Sequence, residues 1–224
     1  MSFIVIEGLD GAGKSTQLKL LAEWYRKKGV ACETLHFPRT DSPFFGELIA
    51  RFLRGELGNL NEVDPYVVAM LYAGDRRDAS DILNRWLSER KTILLDRYVY
   101  SNIAFQCAKI ADIKGQKQLR DWIYDLEFNY FKIPKPTTSI FLDVPFTFTE
   151  SRLKSQRKGN DREYLKGSVD IHEEDLNFQR RVRDVYIQQP NFDPLFSVVS
   201  CTDSNGYMAN KNDIFKRIVS LIEQ

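Results

Sequence analysis

Four apolar residues in a row, Phe3-Ile4-Val5-Ile6, stand at the start of the chain, and the spacing then changes period. Leu18, Leu21, Ala22 and Tyr25 recur at i, i+3, i+4 and i+7. A short continuous apolar run suits a buried parallel strand, and the second spacing gives a helix with one apolar face. The alternation continues. Gly29 ends the first helix, Val30 to Phe37 predicts a second strand broken by Pro38, and Leu48, Ile49, Phe52 and Leu53 mark a short amphipathic helix. Asp64-Pro65 is a helix start, with Asp64 as N-cap and Pro65 at the first helical position, for a helix running to about Arg90. Thr92 to Leu95 is a buried strand closed by Asp96-Arg97. Helical character resumes from about Ser101 towards Phe131, with a break near Lys114-Gly115.

Pro134-Lys135-Pro136 is a stiff connector into a fourth strand, Ser139 to Asp143, followed by helical spacing over Thr147 to Arg157. Phe178, Val182, Val185 and Tyr186 restore that spacing until Pro190 stops it. Leu195 to Ser200 is a last strand, and Phe215, Ile218, Val219 and Ile222 give a closing helix that Asp213 opens as a cap. Five short apolar strands separated by helices predict an α/β fold: a doubly wound, five-stranded parallel sheet with helices on both faces. Residues 158–168 fit neither period and are polar and basic. With Arg152 and Lys154 just before them, they predict a small lid over about 152–168 of a single domain spanning 1–224.

Composition narrows this only at the margins. Hydrophobic residues make up 43% and charged residues 28% of 224 positions, as in ordinary globular domains. Thirty-two basic against 31 acidic residues leave a net charge of +1, which argues against broad binding to nucleic acid. No apolar stretch reaches the length of a membrane span, and a strand beginning at residue 3 leaves no room for a signal peptide. Cys32, Cys107 and Cys201 are odd in number and widely spaced. They read as reduced thiols of a cytoplasmic protein rather than a disulfide frame or metal site.

The candidate chemistry starts in the first turn. Gly8-Leu9-Asp10-Gly11-Ala12-Gly13-Lys14-Ser15 is a complete G-x-x-x-x-G-K-S loop between a predicted strand and a predicted helix. In that setting backbone N–H groups and the helix N-terminus point at a phosphate, Lys14 adds a charge, and Ser15 reaches Mg²⁺. The loop implies a bound nucleoside triphosphate. Ligands of open parallel sheets bind beyond the carboxyl ends of the strands, and here those ends carry Asp10, Phe37-Pro38-Arg39, Asp96-Arg97 and Asp143. Beside such a loop, Asp96 fits a Mg²⁺-organising carboxylate and Arg97 a partner for the transferring phosphate; elsewhere the pair would read as a strand-end salt bridge.

Other signals are weaker. Tyr72 and Arg76 share one helix face, and on spacing alone read as an exposed cation–π pair or as packing. The basic run Arg152, Lys154, Arg157, Lys158, Arg162 and Lys166 is either a solvated face or a lid over triphosphate. Asn210-Lys211-Asn212-Asp213 fits an N-K-x-D guanine motif but follows a polar loop, and is read as chance. His36 and His172 read as local polar residues. With no triad and no paired carboxylates, the inventory suits phosphoryl transfer to an acceptor already anionic, which needs no general base.

In order along the chain, these pieces resemble the thymidylate kinase family over nearly the whole length. The resemblance rests on E-G-L-D-G-A-G-K-S-T at 7–16, F-P-R at 37–39, the Tyr72–Arg76 helix, and D-R-Y-V-Y-S-N-I-A-F-Q at 96–106. L-E-F at 126–128, P-K-P at 134–136, L-D-V-P at 142–145, D-I-H-E-E-D at 170–175 and F-Q-R-R-V-R at 178–183 complete it. It implies transfer of the ATP γ-phosphate to dTMP with Mg²⁺, in a protein that is commonly a homodimer. Gly8 through Thr16 would then bind ATP, with Lys14, Ser15 and Thr16 on phosphates and metal. Asp10 would lie near the acceptor 3′-hydroxyl and the metal, and Phe37 would line the acceptor site. Arg39 and Arg97 would hold the acceptor phosphate. Tyr72 would stack near thymine, Arg76 would bond its carbonyl edge, and Asn102 and Gln106 would flank the base. Phe105 would crowd the 2′ position. Some members carry an arginine in the loop where this chain has Gly11, so the transition-state arginine is expected from the lid, Arg157 or Arg162. A family aromatic is replaced by His172.

Two alternatives share the loop. A deoxynucleoside kinase would need a carboxylate base after the first strand, and Phe37-Pro38-Arg39 offers an arginine at a strand end instead, which suits a phosphate acceptor. A non-kinase ATP-dependent switch would need switch motifs that the third strand end lacks.

Overall fold

The computed structural model describes residues 2–60, 62–154, 160–167, 170–172 and 175–223, leaving aside the side chains of 153–154 and 160–162. Five strands, β1 (Phe3–Glu7), β2 (Cys32–His36), β3 (Thr92–Asp96), β4 (Thr138–Asp143) and β5 (Phe196–Ser200), form one all-parallel sheet in the order β2-β3-β1-β4-β5. Alternation along β1 sends Phe3 and Val5 to one face and Ile4 and Ile6 to the other, so both faces need cover. On the second face, α1 (Lys14–Lys27) and the closing helix α9 (Lys211–Ile222) bury Leu21, Ile214 and Ile218 against Ile4, Ile6 and Ile140. The remaining helices lie mostly against the first face, with most of the core.

Those helices are α2 (Phe45–Leu53), α3 (Pro65–Asp78), α4 (Ser80–Ser88), α5 (Val99–Cys107), α6 (Ile113–Tyr124), α7 (Phe146–Lys154) and α8 (Leu176–Gln188). Asp64 caps α3 by accepting from the Tyr66 N–H at 2.8 Å, with Pro65 at its first position, as the sequence predicts. The helix expected to continue to about Arg90 is instead divided at Ala79, which ends α3 and precedes α4. Apolar spacing persists on both sides of that joint, so the hydrophobic pattern does not reveal it.

Two further boundaries move for reasons of capping. The break expected at Lys114-Gly115 lies before α6, where Asp112 accepts from the Gly115 N–H at 2.7 Å and starts the helix. Asn210, not Asp213, caps α9, accepting from the Asn212 N–H at 2.9 Å; Asp213 lies in the first turn beside Lys216. After α6 the chain continues as a π-helical turn, Asp125–Tyr130, which rotates Glu127 and Phe128 inward. Such wide turns concentrate at functional sites. Glu127 is one of the most buried charged groups in the molecule.

Candidate active site

A cavity of about 1240 Å³ opens at the carboxyl ends of β1, β2 and β3, where the strand order switches direction around β1. It exceeds the usual size of a pocket for one small molecule. At one end lies the predicted loop. Gly11 and Gly13 hold φ of 79° and 87°, a left-handed backbone that favours glycine. Gly13 is the N-cap of α1, and no side chain caps that helix end, so its first N–H groups are offered to a ligand. The Lys14 ammonium donates to the carbonyls of Gly8 (3.3 Å) and Leu9 (3.2 Å), which fixes its stem along the loop. Asp10 through Thr16 line the cavity, whereas Gly8 and Leu9 stand behind it, Leu9 as part of the core.

Asp96, at the end of β3, faces this loop. The Ser15 hydroxyl donates to its Oδ2 at 3.3 Å, and His36 Nδ1 lies 3.6 Å from the same atom. Burial pushes the Asp96 carboxyl up, but the Lys14 ammonium and His36 outweigh it and leave the group below the usual carboxylate range. Its Oδ1 is buried with no hydrogen-bond partner. A hydroxyl, an ionised carboxylate and an orphaned oxygen form the kind of all-oxygen set that suits Mg²⁺.

The rest of the cavity is walled by arginines, each held by a carboxylate from elsewhere in the chain. Arg97 has a left-handed backbone (φ 66°), and its Nη2 donates to Asp10 Oδ1 at 2.8 Å. Burial works against its charge, but Asp10 and the other nearby acids hold its affinity for the proton above the ordinary guanidinium value. Its guanidinium lies 5.0 Å over the Phe105 ring. Arg39 donates from Nε to Asp75 Oδ1 (2.8 Å) and from Nη2 to Asp78 Oδ2 (2.6 Å), with its own N–H on Asp75 Oδ2 (2.9 Å). Gly46 permits this strap, because a Cβ there would stand 2.1 Å from the Arg39 carbonyl oxygen.

Arg76 corrects the reading from spacing. It is 1% exposed, forming no surface cation–π pair, and pairs with Glu127 through Nε and through Nη2 at 2.7 Å. Asn102 donates to the same Glu127 (3.0 Å) and to the Ala69 carbonyl (2.9 Å). The amide oxygens of Asn102 and Gln106 are buried without partners. Phe37, Arg39, Tyr72, Arg76, Arg97, Asn102, Phe105 and Gln106 all line the cavity, and burial pushes the Tyr72 phenol up.

Several residues that matter take no role from the sequence pattern, although Glu7, Glu127 and Asp170 stand in the segments that carry the resemblance. Glu7 sits beneath the site, accepting from Tyr98 N–H (2.9 Å), Ser101 Oγ (2.5 Å) and Tyr186 Oη (2.9 Å), with burial raising its carboxyl. Asp75, Glu127 and Asp170 are buried acids that position cavity groups. Past the loop the cavity continues between α1 and the β5–α9 connection, lined by Gln17, Leu18, Met208, Ala209, Lys211 and Ile214, with Phe148 and Arg152 of α7. Lys211 therefore belongs to the cavity wall, while Asp213 is exposed and no guanine reader. Asp143 lies off the cavity, paired with Arg183 at 2.7 and 2.9 Å. His172 corrects another expectation: it is buried and lines the cavity. Of the expected lid, Glu163 and Tyr164 line the cavity, and Arg54 donates to the Tyr164 carbonyl at 2.6 Å. Arg157 lies outside the described residues, as does the side chain of Arg162.

A parallel sheet with this loop, and a second wall of paired arginines beyond it, defines an α/β P-loop kinase. The family model for thymidylate kinase matches residues 6–214. A probable thymidylate kinase of Thermococcus kodakarensis is 31% identical over 99% of this chain and 97% of its own. The thymidylate kinase of Mycobacterium tuberculosis is 33% identical over 83% and 84%. The solved thymidylate kinase of Candida albicans aligns with a TM-score of 0.70 and 25% identity, covering 99% of this chain and 91% of that one. The chain belongs to the thymidylate kinase family.

Proposed function

We propose that this cavity aligns ATP and dTMP for transfer of the γ-phosphate, giving ADP and dTDP. The observation that carries the reading is the Arg97–Asp10 pair, which stands where the P-loop meets the arginine wall. A cation at that junction can bind the acceptor phosphate and the charge that spreads over the transferring group. Asp10 is engaged by Arg97 and is no free base; an acceptor phosphate needs none.

In this reading Asp10–Thr16 and the N-terminus of α1 hold the triphosphate, and Lys14 neutralises charge on it. Gly8 and Leu9 anchor Lys14 from behind. Asp96, Ser15 and Asp10 are the residues that would hold Mg²⁺, which when bound screens the phosphate oxygens. The adenosine end occupies the stretch between Gln17, Met208, Ala209 and Arg152. Arg39 and Arg97 bind the dTMP phosphate, and Phe37 and Tyr72 flank the thymine. Arg76, Asn102 and Gln106 meet its polar edge, while Phe105 blocks a 2′-hydroxyl. The transition-state arginine, Arg157 or Arg162, would come from the lid expected over about 152–168.

The chain pairs as a homodimer through α3, where Val67 and Met70, one turn apart, remain 54% and 50% exposed. We place the activity in the cytoplasm, where free thiols such as Cys32, Cys107 and Cys201 persist. No described helix is long and apolar enough to cross a membrane.

ADP release with Mg²⁺, ATP and either dTMP or thymidine tests the reading. Turnover is expected with dTMP alone. Turnover with thymidine but not dTMP would assign a deoxynucleoside kinase, and turnover with neither would assign a switch.

A further inference from the structure

Glu7, the last residue of β1, is fully buried and stands outside the residues that line the cavity, yet its carboxylate accepts four hydrogen bonds. Oε1 takes the Tyr98 N–H at 2.9 Å and the Ser101 N–H at 3.3 Å. Oε2 takes the Ser101 hydroxyl at 2.5 Å and the Tyr186 hydroxyl at 2.9 Å. A carboxylate has about four lone-pair positions, so neutral donors fill this one. Burying such a group is costly. Pinning the backbone at the start of α5 uses Oε1 alone; what Oε2 adds is the orientation of a hydroxyl.

Ser101 carries that orientation to the cavity. Its one hydrogen goes to Glu7, so its oxygen meets its other neighbours as an acceptor, and Arg97 Nη1 donates to it at 3.2 Å. Arg97 therefore has two polar supports, Asp10 on Nη2 at 2.8 Å and Ser101 on Nη1. Asp10 has a second task beside Mg²⁺ in the reading above, and its side chain is 22% exposed. The Ser101 support instead backs onto a buried group. We propose that Glu7 is a positioning residue for phosphoryl transfer: through the Ser101 hydroxyl it sets the rotation of the Arg97 guanidinium, and it touches neither nucleotide. The proposal rests on the acceptor reading, in which Arg97 meets the acceptor and transferring phosphates. A guanidinium turned slightly aside still attracts charge but stabilises the transition state less, so the effect falls on kcat and not on ATP affinity.

Glu7→Gln keeps the shape and one oxygen for the two backbone N–H groups, but its amide nitrogen donates where the Ser101 hydroxyl needs an acceptor. Steady-state kinetics with ATP and dTMP should show kcat lower by about 10–100-fold, the scale of one hydrogen bond to a charged group, with KM for ATP little changed. In a Ser101→Ala background the same substitution should cost almost nothing further, because the hydroxyl that carries its effect is gone. Equal losses in both backgrounds mean that Glu7 acts through the fold alone and overturn the proposal. Ser101→Thr and Ser101→Val, matched in size, give a second measurement that leaves Glu7 intact. The hydroxyl variant should turn over about tenfold faster or more, and equal kcat values overturn the proposal. A matching loss of ATP affinity in Glu7→Gln would place Arg97 on the donor side. Absence of dTMP turnover in the natural chain would defeat the acceptor reading, and either result removes the proposal with it.

Discussion

Between Asp10 and Ser15 the cavity offers backbone: left-handed glycines, an uncapped helix end and one lysine, all from a single short stretch of chain. The opposite region offers side chains that arrive from β3, α3, α5 and the loop after β2, and each of Arg39, Arg76 and Arg97 is held by a carboxylate from another place. The difference is one of dependence. A backbone cradle needs only its own dihedral angles, whereas a buried guanidinium needs a partner elsewhere to stay charged and aimed. Damage to the first region should therefore be local and chemical, and damage to the second should spread into stability and acceptor affinity.

The sharpest break is Lys14→Met. It removes the only cation in the cradle, and kcat should fall by about 10³ or more with the melting temperature little changed. A loss that appears mainly in KM for dTMP would put Lys14 in the wrong half. Arg97→Ala comes next, with kcat down by about 10²–10³ and ATP affinity nearly intact; an equal loss of ATP affinity would move that arginine to the donor side. Glu127→Gln touches no substrate, yet it leaves the buried Arg76 half-partnered. We expect a loss of about 3 kcal/mol in stability together with a raised KM for dTMP. Denaturant melts and steady-state kinetics on the same preparation check both, and a change in only one would uncouple the two.

The smallest effect sharpens the contrast through pH. Lys109 lies 4.8 Å over the Phe52 ring behind the acceptor wall, its ammonium buried without a hydrogen-bond partner, and burial pulls it down to about 7. An unfolded lysine keeps its proton to about 10.4. Between those values the unfolded chain binds more protons, so stability rises with pH across that window. Lys109→Met should be more stable than the natural chain at pH 6, by about 2 kcal/mol or more, with the gap closing towards pH 10. Parallel melting curves over that range decide it, and a constant gap would mean that Lys109 is not buried as a charge.

What the chain's pattern made readable follows the same division. The five strands, the loop and the Asp64-Pro65 cap are local in sequence, and each lies where its own residues put it. The division at Ala79 and the π-helical segment at Asp125–Tyr130 interrupt no hydrophobic period, so only packing reveals them. Arg76 with Tyr72 looked like a surface pair because its partner, Glu127, is 51 residues away in the L-E-F segment, where nothing local points to an arginine. Glu7 and Asp170 stand in matching segments but, like Asp75, showed no role there: a buried acid is recognisable only once its donors are in place. His172 looked like a polar bystander until the rings of Phe52, Phe105 and Phe178 closed around it.

A compound joining adenosine and thymidine through a 5′,5′-pentaphosphate would span the backbone cradle and the arginine wall at once. If one cavity seats both nucleotides head to head, inhibition by it is competitive against ATP and competitive against dTMP. Competition with one substrate and noncompetitive behaviour towards the other would contradict the two-nucleotide site.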